Sequence, residues 1–383
     1  MAIQTAVVIC PPGDDGENIH REILGLSVGE RLLLALGHAG VQRVVFAGMG
    51  PRPQSSRAPV KVTSSAKLRD EDLADGFLVL CSDLVFDRTL LKDPNNLAES
   101  IPIRKLAPGS FEDVMTNPDD FLRQLGHGHA VSGRGFALRV TDDASARAAQ
   151  RALLLSLRKP IDGLVARNIN RYVSLFFTRR LVRLGIKPNQ LTVAIMAMGL
   201  LSGILAAVAQ PWWVLVLAGV LFQGQSIFDG CDGEVARLTY RFSHLGQWLD
   251  TIGDDFTNYV FCFGLAVGQA RIHGWTWLYF AGGAVLLMQL ISSGIMYRRM
   301  LIMGTGDLLA VPVLVGGGGS GNNRVFDTLR QLVKRDTFVL IIATLAAVQL
   351  PLVAFITMGI GTVPVFVGVI INDIKITRLE SLK

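Results

Sequence analysis

Cysteine is scarce in this chain of 383 residues. Cys10, Cys81, Cys231 and Cys262 are scattered, and none forms a CxxC motif or a plausible metal pair. That spacing excludes a thiolate metal centre and a disulfide framework, and it points to free thiols in a reducing compartment. The opening MAIQTAVVICPP has no basic n-region and too short an apolar run for a cleavable signal peptide, so none is expected. Charge is missing over long stretches of the second half: LTVAIMAMGLLSGILAAVA, WWVLVLAGVLF, TWLYFAGGAVLLMQLISSGIM and LVAFITMGIGTVPVFVGVII contain none. Three of these runs approach the ~20 residues that cross a hydrocarbon layer, which a soluble core rarely repeats in succession.

Basic residues are nearly absent from one side of the topology that these runs define. With spans near 191–209, 212–236, 244–268, 274–297, 337–350 and 352–373, one side collects Arg179, Arg180, Arg183, Lys187, Arg237, Arg241, Arg298, Arg299, Arg324, Arg330, Lys334, Arg335, Lys375, Arg378 and Lys383, and the other has Arg271. The formal charge of +6 therefore follows membrane topology rather than nucleic-acid binding, and both termini are expected on the cytoplasmic side. Trp212, Trp213, Trp275 and Trp277 fall at the outer span ends, where an aromatic belt accounts for them.

What precedes the spans reads differently. AVVIC, VQRVVFAG and FLVLCSD are strand candidates, with the helical pattern GERLLLALGHAG between the first two, so residues 1–150 are expected to form a soluble α/β domain. Residues 151–187 mix Leu, Val and Phe with Arg at near-helical spacing. This is the pattern of an amphipathic juxtamembrane helix lying at the cytoplasmic interface, with an ordinary connecting helix between domains as the competing account. Residues 188–383 form the membrane part. The stretch GTGDLLAVPVLVGGGGSGNN within it reads as a flexible coil without chemistry, either a natural low-complexity loop or an inserted linker.

Between two apolar runs stands FDGCDGEVARLTYRFSHLGQWLDTIGDD. An ionised carboxylate within a spanning helix costs ~3 kcal/mol or more, so such a cluster demands compensation. Asp229 and Asp232 are three residues apart and Asp250 and Asp254 four apart, so each pair occupies one helical face, and consecutive antiparallel helices can bring the faces together. Converging carboxylates repel unless cations lie between them. Hard oxygen donors without His or Cys suit Mg²⁺, Mn²⁺ or Ca²⁺, and two divalent ions held this way serve phosphoryl transfer. Gly233, Ala236 and Gly246 leave room for a ligand, and Arg237 is a candidate phosphate partner.

The run Asp229-Gly-Cys-Asp232-Gly233-Glu-Val-Ala236-Arg237, eight residues, then Gly246-Gln-Trp-Leu-Asp250-Thr-Ile-Gly-Asp254 resembles the full signature of the CDP-alcohol phosphotransferase family. That resemblance implies that Asp229, Asp232 and Asp250 hold paired divalent cations, Mg²⁺ or Mn²⁺, and that Asp254 completes the metal site and takes the proton of the acceptor hydroxyl. Gly233, Ala236 and Gly246 would make room for the cytidine. Pro188-Asn189-Gln190-Leu191-Thr192 is similar to the family's PNxxT element and would place Asn189 and Thr192 at the pyrophosphate. The family also implies six transmembrane helices, a homodimer, a CDP-alcohol donor, a hydroxyl acceptor and CMP as leaving group.

GLSVGERLLLALGHAGVQRVVFAG with DGFLVLCSDLVFD is similar to cytidylyltransferase domains, with Asp83 at the position of their metal-binding Asp, and the whole chain resembles the bifunctional fusions that make CDP-inositol and condense it with inositol phosphate. One departure matters. The loop after the first strand, PPGDDGEN, is acidic and carries no Lys or Arg before Arg21, which is unfavourable beside a triphosphate, so the first domain is read as degenerate. Three readings stand: a transferase with a vestigial first domain, a bifunctional enzyme that also makes its donor from CTP, and a non-enzymatic divalent-cation pathway. Arg298, Arg299, Lys334 and Arg335 lie on the side of the aspartates and could bind the phosphate of an acceptor such as inositol phosphate. Topological anchoring is the competing account of these four.

Overall fold

The computed structural model describes residues 3–11, 17–68, 70–92, 102–125, 129–132, 135–158, 165–305 and 335–381. The GGGGS stretch, Lys334 and most of the PPGDDGEN loop lie outside these described residues. The chain forms two compact units, Met1–Lys159 with Arg237–Tyr240, and Pro160–Ala236 with Arg241–Lys383.

The first unit is α/β. Strands β1 (Thr5–Ile9), β2 (Arg43–Ala47), β3 (Lys61–Val62), β4 (Phe77–Cys81) and β6 (Ile103–Leu106) make a sheet in the order β3-β2-β1-β4-β6, parallel except at β6. Apolar runs without alternation fill its centre because both faces are covered. Val8, Leu78 and Leu80 join the core that takes in helix α1 (Val28–His38), while Val7, Phe77 and Val79 join the opposite one. β5 (Leu84–Phe86), β7 (His129–Ser132) and β8 (Gly135–Arg139) form a second, antiparallel sheet in the order β5-β8-β7. Helix α2 (Asp143–Ser156) is started by a capping box: the Asp142 carboxylate accepts from Ser145 N–H at 2.6 Å, and Ser145 Oγ accepts from Asp142 N–H at 3.0 Å.

The second unit is helical. It comprises α3 (Arg171–Arg183), α4 (Pro188–Val208), α5 (Trp212–Thr239), α6 (His244–His273), α7 (Trp277–Met303), α8 (Arg335–Ala347) and α9 (Pro351–Ser381). Four of these, α4, α5, α7 and α9, are long and apolar enough to cross a membrane. α6 has the length, 30 residues, but its first half carries Asp250, Asp254 and Asp255, and α8 is apolar but only 13 residues long. The surface of the bundle is apolar, with Val220, Phe280, Leu287, Ile360 and Val365 all exposed, more than a water-facing bundle shows.

α4 and α6 touch backbone to backbone. A Cβ on Gly199 would lie 2.1 Å from Thr257 Cγ2, and one on Gly264 would lie 2.2 Å from the Gly203 carbonyl oxygen. Glycines four apart on each helix thus set an axis separation that any side chain would widen, the small-residue packing expected where the hydrophobic effect cannot drive helices together. α3 has the reverse pattern of a water-soluble helix: Ser174 and Thr178 are buried while Tyr172 and Phe176 are exposed, with the Arg180 guanidinium over the Phe176 ring.

Candidate active site

The acidic run separates into two helices where Tyr240 takes a positive φ of 52° and Ser243 caps α6, accepting a hydrogen bond from Gly246 N–H at 2.9 Å. This short turn makes α5 and α6 antiparallel neighbours. Phe222 and Phe261 confirm the register by stacking face to face, with ring centroids 3.9 Å apart. Seven residues on from Phe222 is Asp229, and seven back from Phe261 is Asp254, so two turns past the stack the carboxylates meet.

Asp229, Asp250 and Asp254 each offer a carboxylate oxygen within 4.8 Å of the others. At that separation and an effective dielectric near 20, each ionised pair repels by roughly 3 kcal/mol, so the trio needs positive charge between its members. The donors are all oxygen, which fits a hard divalent cation and not zinc. Asp232, expected with them, is 6% exposed and is not one of the three that converge: its Oδ2 accepts from the Thr192 hydroxyl and its Oδ1 from Gly233 N–H. Thr192 belongs to the first turns of α4, so the PNxxT element reaches the aspartates through one hydrogen bond.

Gly246 is confined from two directions. An added Cβ would approach Ser243 Oγ to 2.8 Å and Asn189 Oδ1 to 3.0 Å, which places Asn189 beside the start of α6. Gly233 and Ala236 are half-buried on α5, and Arg237 falls in the last turn of that helix.

Sequence reasoning gave no role to Glu234, which is fully buried. Its Oε1 accepts from Arg171 Nη1 at 2.6 Å and from Ser174 Oγ at 2.8 Å, and its Oε2 from Thr178 Oγ1 at 2.6 Å. The buried polar face of α3 thereby closes on the aspartate-bearing helix. Gly230 leaves space for this, because a Cβ there would lie 3.4 Å from Arg171 Nη1. The signal was present in the sequence as Arg171, Ser174 and Thr178 at helical spacing within a basic amphipathic helix. Asp255 plays a similar part on the other side of α6, accepting from Ser293 Oγ at 2.6 Å and Tyr297 Oη at 2.7 Å.

The four basic residues named for an acceptor phosphate are dispersed. Arg299 is 4% exposed and bound to α9, with Nε 2.7 Å from Asp373 Oδ1 and Nη2 2.7 Å from Thr377 Oγ1. Arg298 stays at the surface, with Nη2 3.4 Å from Asp373 Oδ2. Arg335 opens α8, and Lys334 lies outside the described residues. In the first unit, Asp83 follows β4 at the point where the strand order reverses, the position where open α/β sheets take their ligands. Its carboxylate is buried and held by both sides of the Arg139 guanidinium, Nε to Oδ1 at 3.0 Å and Nη2 to Oδ2 at 2.8 Å.

The carboxylate trio, the Thr192 contact and the glycine spacing all fall within residues 186–370, and this segment matches the model of one family. That family is CDP-alcohol phosphatidyltransferase. Among curated relatives, the chain is similar to a bifunctional IPC transferase and DIPP synthase of Thermococcus kodakarensis, 34% identical over 162 residues, which are 42% of this chain and 36% of the relative. A protein of the same name from Aquifex aeolicus is 39% identical over 106 residues, 28% of this chain and 23% of the relative. An archaetidylinositol phosphate synthase of Pyrococcus horikoshii is 34% identical over 90 residues, 24% of this chain and 46% of the relative. The chain thus spans less than half the length of each of these relatives.

Proposed function

We propose that this protein is a membrane-embedded CDP-alcohol phosphotransferase that moves a substituted phosphate from a CDP-alcohol to the hydroxyl of a second alcohol and releases CMP. The observation that carries the reading is the convergence of Asp229, Asp250 and Asp254 from two antiparallel helices onto one point, inside the segment that matches the phosphatidyltransferase family. Divalent cations held by these three residues, with Asp232 beside them, would neutralise charge on the diphosphate and on the departing CMP. The residues of the chain do the rest. Asp254 takes the proton of the acceptor hydroxyl as its oxygen forms a bond to the β-phosphorus and the bridging P–O bond to CMP breaks. Thr192 fixes the orientation of Asp232. Asn189 and Gly246 flank the entry for the nucleotide, and Arg237 is assigned to its phosphates.

In this reading the four long apolar helices cross the bilayer together with α6 and α8, six in all, with both termini cytoplasmic and the protein a homodimer. Its parts are the soluble domain 1–150, the juxtamembrane segment 151–187 and the membrane domain 188–383. The name of the Pyrococcus horikoshii relative favours an inositol phosphate among the alcohols, and Arg298, which stays at the surface, is assigned to its phosphate. The first domain is assigned no cytidylyl transfer, because Arg139 occupies both oxygens of the carboxylate that would hold its metal. A cation conduit is disfavoured because a permeation path has no need of the nucleotide-sized recess that Gly233, Ala236 and Gly246 leave beside the aspartates.

The deciding experiment is a panel of CDP-linked donors and hydroxyl acceptors with CMP release as readout. Turnover with at least one pair, abolished by EDTA, is expected. Asp254→Asn is expected to lower turnover by at least ~10²-fold, the usual worth of a positioned base. Full activity of that variant removes Asp254 as the base, and no CMP from any pair removes the reaction.

A further inference from the structure

Gln225 stands on the same face of α5 as the metal-type carboxylates, since residues 225, 229 and 232 follow the i, i+4, i+7 spacing. It is 1% exposed, and its side-chain carbonyl Oε1 is buried without a hydrogen-bond partner. Three residues before it, Phe222 stacks on Phe261, and four after it, Asp229 joins the carboxylate trio. On α6 the same interval, between Asp254 and Phe261, is filled by Thr257, which is fully buried and donates its hydroxyl to the Asp254 carbonyl at 3.0 Å. Gln225 and Thr257 therefore both lie between an aromatic seal and the carboxylates, and Gln225 presents an acceptor that has no partner among the described residues.

An unsatisfied buried carbonyl costs about 1–3 kcal/mol, and a leucine at this position would avoid the penalty. Side chains on a helix lean toward its N-terminus. Along α5 this tips Asp229 toward the level of Gln225, one turn before it. Small divalent cations, Mg²⁺ above all, retain several of their waters when bound by carboxylates, and each such water has protons to donate.

We infer that Gln225 is a further binding residue of this site: its carboxamide oxygen accepts a hydrogen bond from a water of the hydrated divalent cation that Asp229, Asp250 and Asp254 hold. The inference rests on the metal reading of the trio given above. Its test is Mn²⁺ binding to the full-length protein in detergent, without nucleotide, followed by the electron paramagnetic resonance of free Mn²⁺. Gln225→Leu is expected to weaken Mn²⁺ binding about tenfold, the low end of the loss seen when a partner of a metal ligand is removed. Gln225→Glu, which keeps the acceptor and adds charge, is expected to bind at least as tightly as the native protein. Native affinity in Gln225→Leu overturns the inference, as does a loss accompanied by a lower melting temperature in the metal-free state, which assigns the effect to packing. If Gln225→Leu does not fold, Gln225→Met is judged by the same criteria. Failure of the native protein to bind Mn²⁺ sinks the metal reading itself, whereas native binding with an indifferent variant sinks only the role of Gln225.

Discussion

A carboxylate inside a helical bundle is stable only where its charge is answered, and the second unit answers its acidic residues in two ways. Glu234 is neutralised by Arg171 and two hydroxyls, whereas Asp229, Asp250 and Asp254 face one another. Removing one partner of a buried ion pair leaves the other uncompensated, at a cost of about 3–5 kcal/mol. Glu234→Ala is therefore expected to lower the melting temperature sharply, and the double variant Glu234→Met/Arg171→Met to recover much of the loss. Equal melting of the single and double variants would show that the pair is not coupled. In the first unit the same burial acts on thiols. Burial pushes the Cys10 thiol up to about 11, with Ser82 and Arg52 opposing, and holds the Cys81 thiol well above its usual range. A raised value keeps the group protonated at neutral pH, and the thiolate is the form that reacts. Both cysteines should resist maleimide at pH 7 in the folded protein and react at once in SDS. Prompt labelling of Cys10 under native conditions would contradict its burial.

Among the elements, α4 and α6 fix the site's dimensions, because their glycines remove the side chains that would hold them apart. A Cβ on Gly203 would lie 2.4 Å from Val260 Cγ1 and 2.7 Å from the Val260 carbonyl oxygen, and the second of these contacts is backbone that cannot yield. Gly203→Leu is expected to separate the helices, draw Asp254 away from Asp229 and reduce CMP release by an order of magnitude or more. A variant with native turnover would mean that the pairing of α4 with α6 does not set the carboxylate geometry. The charged helix α3 belongs to this scale as well. Its arginines on the exposed face suit a head-group layer, while Arg171, Ser174 and Thr178 join it to α5 through Glu234.

For the molecule as a whole, the question is whether both units catalyse. The Asp83 carboxylate, which follows β4 where the strand order reverses, is already paired through both oxygens with a buried guanidinium, and a metal would have to displace an ion pair that is itself costly to break. Labelled CTP incubated with the full chain and a range of phosphorylated alcohols should give no CDP-alcohol, while an added CDP-alcohol supports CMP release. CTP turnover abolished by Asp83→Asn would restore the bifunctional reading.

The α/β character of the first unit and the apolar helices of the second were legible from short-range pattern alone. Continuous apolar runs bounded by Pro and Gly define buried parallel strands, and uncharged runs near ~20 residues define spans. The aspartates were legible for a related reason, since their spacing within each helix fixes a shared face before any partner is known. Glu234, Arg299 and Gln225 were not. The first two are paired with residues 63 and 74 positions away, and the burial of Gln225 Oε1 without a partner among the described residues is likewise set by packing, so no local period encodes them. Nor did spacing tell Asp232, which bonds Thr192, from the three aspartates that converge. That division was made by the tertiary packing, because only the approach of α4 to α5 decides which carboxylate meets the Thr192 hydroxyl and which three converge.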